Sequence, residues 1–261
     1  MELLKDIEKK LPDPYKLIIF ALIVTALLNA SAFGYVSVIL SGIFAIAIAQ
    51  IFDVALTYIK AKKVIFGDSA TIAALILVNI IAPGQFLLIG VTAALAMILK
   101  HIVRFEKKPV FNPAALSMFI AVILFSATKI LPNPEQFLLG WGNSSLTDVI
   151  GTIALVVLGL LVTIKIRRFT ASITYLLVYT ITTFLMAGVA GLQYFPFFGA
   201  FFMVSEPRTS PSKTSHQIIF GIAAWVLGII YVMLSIPVFY AFSLGFLSAN
   251  VLKIGLEKSK I

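Results

Sequence analysis

Long apolar runs, broken by short polar stretches, recur from one end of the chain to the other, which is the pattern of a polytopic helical membrane protein. Ten segments are predicted, at about 17–31, 35–59, 69–82, 85–99, 110–128, 148–164, 170–190, 195–205, 217–233 and 237–252. The stretches between them are short. The expected fold class is therefore an all-α bundle of about ten transmembrane helices with no separate soluble domain. The N-terminal MELLKDIEKKLPDPYK is charged and has no apolar core of its own before the first segment, unlike a cleavable signal peptide.

Composition agrees with that pattern. The 261 residues are 61% hydrophobic and 12% charged, against about 25% charged in a typical soluble domain. The net charge of +9 would suggest nucleic acid in a soluble protein, but in a membrane protein its distribution carries the information. With the N-terminus in the cytoplasm, every one of the 20 Lys and Arg residues except Lys129 falls on the inner side. This predicts both termini inside, in a prokaryotic inner or plasma membrane, with an even number of crossings and with lipid, not nucleic acid, around the chain. There is no cysteine and there are only two histidines, which excludes disulfides and cysteine-ligated iron–sulfur clusters and leaves little for a metal. Both His101 and His216 are expected in cytoplasmic loops.

An internal repeat is visible. PVFNPAALSMFIAVIL from Pro109 and PVFYAFSLGFLSANVL from Pro237 agree at six of sixteen positions at an offset of 128, which Pro83 and Pro211 share. With ten crossings, two five-helix halves at that offset run in opposite directions, an inverted repeat. The predicted organisation is a segment 1–16, a first repeat 17–130, an outer loop 131–147, a second repeat 148–252 and a cytoplasmic tail 253–261. The third segment of each half is short. SATIAALILVNIIA and FPFFGAFFMV reach only about 21 and 15 Å, less than a hydrocarbon core of ~30 Å. Short segments at matching places in two halves point to a ligand site.

Three polar elements lie at the same end of these segments: FGDSAT, KHIVRFEKKPVFNPAAL and SEPRTSPSKTSH. Taken singly, Ser, Thr and Pro at a helix end are caps and breakers, and basic loops set topology. Pro113 suits the first turn of a helix, with Asn112 as its cap and as an amide able to grip a heteroaromatic ring. Glu206 should pair or meet water, because an ionised carboxylate at membrane depth costs ~2.5–3.5 kcal/mol; Arg208 is its expected partner. Asp53, seven residues before Lys60 and so about 10 Å further along the helix, reads as a water-reached interfacial residue or part of a cation path.

FGDSATIAALILVNIIAPGQ, LKHIVRFEKKPVFNPAALSMF and FFMVSEPRTSPSKTSHQIIFG resemble the signature blocks of the NqrB/RnfD family. Members of that family are flavin-carrying membrane subunits of the Na⁺-translocating NADH:quinone oxidoreductase and of the Rnf complex. The resemblance spans nearly the whole chain. It implies ten helices in two inverted repeats, a flavin cofactor (FMN), and partners that are other redox subunits or a soluble NAD(P)H- or ferredoxin-linked reductase on the cytoplasmic side. The site it implies comprises Asn112, Pro113, Lys100, Arg104, Glu206, Arg208, Thr209 and Ser210. Thr147 stands where the family esterifies FMN to a threonine. The Asp, Gly and Ala of the attachment motif D-x-[ST]-G-A-T are missing from GWGNSSLTDVIG. A non-covalent flavin is therefore expected, with Thr147 an N-cap of the sixth segment.

A flavin needs an apolar slot, hydrogen bonds to its polar edge and, for FMN, cations for the phosphate. Phe197, Phe198, Phe201 and Phe202 can supply ring contacts; Asn112, Thr209 and Ser210 can bond the pyrimidine edge or ribityl hydroxyls; Arg208, Lys100 and Arg104 can meet an anion. Two functions follow. One is a flavin-binding subunit that carries electrons within or across the membrane, with nicotinamide or iron–sulfur chemistry on partners. The other is a transporter or channel for a small solute, a flavin or something like urea or ammonium.

Overall fold

The structure, a computed structural model, describes residues 8–106, 108–131, 133–138, 144–145 and 149–258. These residues are nearly all helical. Strand among them is confined to two short antiparallel pairs, Arg104–Phe105 with Lys108–Pro109 and Ser144–Ser145 with Tyr194–Phe195. The chain divides into two compact units: Ile18–Pro109 with Pro113–Trp141, and Met1–Leu17 with Val110–Asn112 and Gly142–Ile261.

The first unit is built on α1 (Pro14–Phe33) from Ile18 onward, its first turn belonging to the second unit, and on α2 (Tyr35–Ala61), α3 (Asp68–Ile80), α4 (Phe86–Ile102) and α5 (Pro113–Thr128). Helix α1 starts where DPYK dictates: the Asp13 carboxylate accepts the backbone N–H groups of Tyr15 and Lys16, with Pro14 as the first helical residue. Gly34, at φ 85°, makes the corner into α2, a conformation that a side chain would resist. Helix α3 is buried from Ile72 to Ile80 and apolar on every face there but for Asn79, whose amide donates to the Leu22 carbonyl at 3.1 Å, which is the mark of a central helix. At 13 residues it is about 20 Å long, too short to cross a bilayer alone. Helix α2 packs on α3 and α4, and α4 on α5.

The second unit contains α6 (Val149–Lys165), α7 (Phe169–Ala187), α8 (Thr214–Met233) and α9 (Val238–Lys258). Helix α8 packs between small-residue contacts: Gly221 lies against the backbone of α7 at Ala171, and Gly228 lies against Gly245 of α9. Close backbone approach at glycine is how membrane helices associate without a hydrophobic driving force.

Helices α2, α7, α8 and α9 are long and apolar enough to cross a membrane, and shorter apolar helices accompany them. Large apolar side chains such as Ile43, Ile51, Leu177 and Ile181 point outward, as on lipid-facing surfaces. The segment predicted at 195–205 is not a regular helix. It is a strand residue, Pro196 and then a π-helical turn, Gly199–Met203, in which the Val204 N–H donates to the Gly199 carbonyl at 2.8 Å. Pro196 can donate no hydrogen bond, and the residues behind it wind wide, so the apolar run ends after a single turn. At the other end, α9 runs through to Lys258. Most of the expected tail 253–261 is therefore helix, and Lys253 is a buried helical residue.

Candidate functional site

Directly after the π turn the chain makes a polar knot, Ser205–Pro211, whose Ser205, Thr209 and Ser210 are all but inaccessible. The Ser205 hydroxyl donates to the Phe201 carbonyl, closing the π turn. The backbone of 206–210 then winds one more turn, the Thr209 and Ser210 N–H groups donating to the Glu206 carbonyl at 3.2 and 2.9 Å. The Thr209 hydroxyl donates to the Glu206 carboxylate, and the Ser210 hydroxyl to the Glu206 carbonyl at 2.7 Å.

Helix α9 secures the knot from one side. Asn250 donates its amide to the Thr209 carbonyl at 3.2 Å and accepts the Asn112 backbone N–H at 3.2 Å. One turn further on, the Lys253 ammonium donates to the Arg208 carbonyl at 2.9 Å. The corner between α6 and α7 secures it from another: Arg168 Nε donates to the Ser210 hydroxyl at 3.0 Å. Gln217 on α8 donates to the carbonyls of Arg167 and Ser212, at 3.0 and 3.1 Å. Every loop carbonyl named here has a donor, which irregular backbone inside a membrane bundle requires.

The expected ion pair between Glu206 and Arg208 does not form. Arg208 lies over the Tyr15 ring, 5.8 Å from its centroid, and makes no salt bridge among the described residues. Glu206 satisfies its carboxylate locally instead, on the Thr209 hydroxyl, at a spacing of three residues that one turn brings together.

Asn112 is the residue before Pro113, the first of α5, as expected of a cap. It is not a free amide: it is buried, bound through its backbone to Asn250, with its side-chain amide 4.0 Å from the Met203 sulfur. Aromatic side chains surround the π turn. Phe198, Phe201 and Phe202 are buried, Phe195 and Phe197 stack at 5.1 Å, and Tyr175 stacks on Phe246 at 5.7 Å.

Lys100 and Arg104 belong to the first unit, where Arg104 is an exposed residue of the strand Arg104–Phe105. Lys100 is not a cation waiting for a phosphate. Its ammonium donates to both oxygens of Asp53, at 2.8 and 3.0 Å, and to the Ser69 hydroxyl at 2.8 Å. Asp53 is correspondingly a buried counter-ion, not a water-reached interfacial group. His101 joins the same carboxylate through Nε2 at 2.7 Å. Neither histidine is in a loop: His101 lies in the last turn of α4 and His216 is buried in the first turn of α8. Thr147 lies outside the described residues.

Sequence reasoning missed Asn250, Lys253, Arg168 and the Asp53–His101 bond. Asn250, an amide inside the last predicted apolar segment, was the available signal, since such a group seldom enters a bundle without a partner. No family model matches the chain, and no curated protein does.

Proposed function

We propose that this chain is a flavin-binding integral membrane subunit that carries electrons within or across the membrane as part of a redox complex. In this reading it has ten membrane segments in two inverted halves and both termini in the cytoplasm. The observation that carries the reading is the interrupted segment of the second unit: an aromatic π turn running into a buried, fully braced polar knot with an arginine at its edge. Interrupted segments of this kind mark ligand sites in membrane bundles built from repeats, and π turns are frequent at functional sites. The resemblance of the same stretch to the NqrB/RnfD blocks gives the ligand its chemical class.

The residues fit a flavin in part. Arg208, which makes no salt bridge among the described residues, is suited to an anionic flavin or its phosphate, and the neighbouring phenylalanines to the isoalloxazine ring. Thr209 and Ser210 use their hydroxyl protons on Glu206, so they serve the site by fixing the knot rather than by donating to a ligand. A bound flavin would supply the one- and two-electron chemistry; the chain's own residues hold it, shape its slot and keep out water.

Purified protein should absorb near ~450 nm and bleach with dithionite. Arg208→Gln should lower the flavin content several-fold while the unfolding midpoint stays near the parental value. Flavin should leave the protein on denaturation, since the attachment motif around Thr147 is incomplete. A colourless protein that gains no colour on incubation with FMN, FAD or riboflavin sinks the reading. A flavin that binds but does not bleach in the protein moves it to the transporter class.

A further inference from the structure

One buried carboxylate in the first unit faces two bases, and the number of charges does not match. Asp53 on α2 is 4% exposed. Lys100 grips both its oxygens and His101 bonds Oδ1. The pocket is tight: a Cβ at Gly67 would stand 2.8 Å from Asp53 Oδ2. His101 is nearly as buried, its side chain 10% exposed, and its Nδ1 has no hydrogen-bond partner among the described residues. Gln50, one turn before Asp53, donates its amide to Gly67 and Thr71 and leaves its own Oε1 equally bare.

Two buried cations on one carboxylate would leave an uncompensated charge, which low-dielectric surroundings penalise strongly. One cation with one neutral base leaves none. The contacts fit an ammonium on Lys100, reaching both carboxylate oxygens and Ser69, and a neutral imidazole that donates from Nε2 and keeps a bare lone pair on Nδ1.

We propose that Asp53, Lys100 and His101 form a proton-exchange site, in which a single proton resides on Lys100 or on His101 while Asp53 stays ionised. The exchange is balanced. An N–H bond forms at His101 Nδ1 as one breaks at Lys100 Nζ, the carboxylate trades one cationic partner for the other, and no electron moves. The ligand is a proton brought by water, and the site is independent of the flavin reading.

The other charged groups at this end of the helices set the bias. Lys60 on α2 donates to the His101 carbonyl at 2.7 Å and opposes an imidazolium. Lys62 and Lys63 follow α2, Asp68 opens α3, and Arg104, Glu106 and Lys108 lie on the hairpin after α4. Their net positive charge opposes a proton on either base; Lys60, next to His101, and the three contacts of Lys100 to Asp53 and Ser69 tip the balance toward Lys100.

The chain has only two histidines, so histidine-selective nitrogen-15 NMR of the full chain in lipid nanodiscs reads the site directly, with a His216→Gln background leaving the His101 signal alone. At neutral pH the expected spectrum is a neutral imidazole protonated at Nε2. An imidazolium, or a neutral ring protonated at Nδ1, overturns the proposal. Lys100→Met should transfer the charge, giving an imidazolium at neutral pH; Lys100→Met that keeps a neutral ring also overturns it. Should Lys100→Met not fold, Lys100→Gln is read in the same way.

Discussion

Asp53→Ala is expected to destabilise the protein by about 3–5 kcal/mol, the usual result of removing one partner from a buried ion pair. The carboxylate is the common acceptor for Lys100 and His101, so its loss leaves an ammonium and an imidazole N–H inside the bundle together. Part of the cost is avoided if Lys100 gives up its proton, which buried lysines do readily. A bare amine then remains beside an unfilled space. The double variant Asp53→Leu with Lys100→Met removes both charges and refills the volume, and it should recover most of the loss, because well-packed apolar replacements of a buried pair are often neutral or better. Thermal unfolding midpoints in detergent check both. A single variant within about 0.5 kcal/mol of the parent, the range of an unimportant surface change, would mean that Asp53 is hydrated and not a core counter-ion.

That pair also shows what the sequence can and cannot carry. Helix positions were legible because apolar runs and breakers such as Asp13-Pro14 and Gly34 act locally: α1 to α9 each coincide with a predicted segment to within a few residues at most ends. The segment at 195–205 was apolar enough to be found, but its winding was not foreseeable, since hydrophobicity says nothing of whether a turn closes as α or π. Pairings between remote residues left no periodic trace. Asp53 and Lys100 are 47 residues apart, and Asn112 and Asn250 are 138 apart; from sequence Lys100 and Asn112 each looked like a polar residue awaiting a ligand, Asp53 like an interfacial group or part of a cation path, and Asn250 drew no reading. The nearest opposite charge was the wrong partner for Glu206, because one helical turn brings the Thr209 hydroxyl to the carboxylate while Arg208 turns away to Tyr15. Lys253 was hidden for a different reason. It follows the last predicted span, where a basic residue ordinarily marks the cytoplasmic edge, yet α9 continues and buries it against the Arg208 carbonyl.

Asn250→Leu is the substitution that should undo the knot. Its amide holds the Thr209 carbonyl, and its carbonyl oxygen holds the Asn112 N–H; both residues are buried. Leucine matches the volume but leaves a backbone acceptor and a backbone donor bare, and each unsatisfied group costs ~1–3 kcal/mol. A loss of about 2–6 kcal/mol follows if the two add, and less if water enters to replace them. Asn250→Asp divides the effect. The carboxylate can still accept from Asn112 but cannot donate to Thr209, and the nearby Lys253 ammonium offers it a counter-charge one turn away. Asn250→Asp should therefore fall between the parent and Asn250→Leu in unfolding midpoint. Flavin content measured on the same samples connects the structure to its proposed role. If the knot shapes the ligand's slot, content falls in the order parent, Asn250→Asp, Asn250→Leu, even at temperatures well below unfolding. Full flavin content in Asn250→Leu, with the midpoint lowered as expected, would keep the knot as a structural brace and move the flavin away from it.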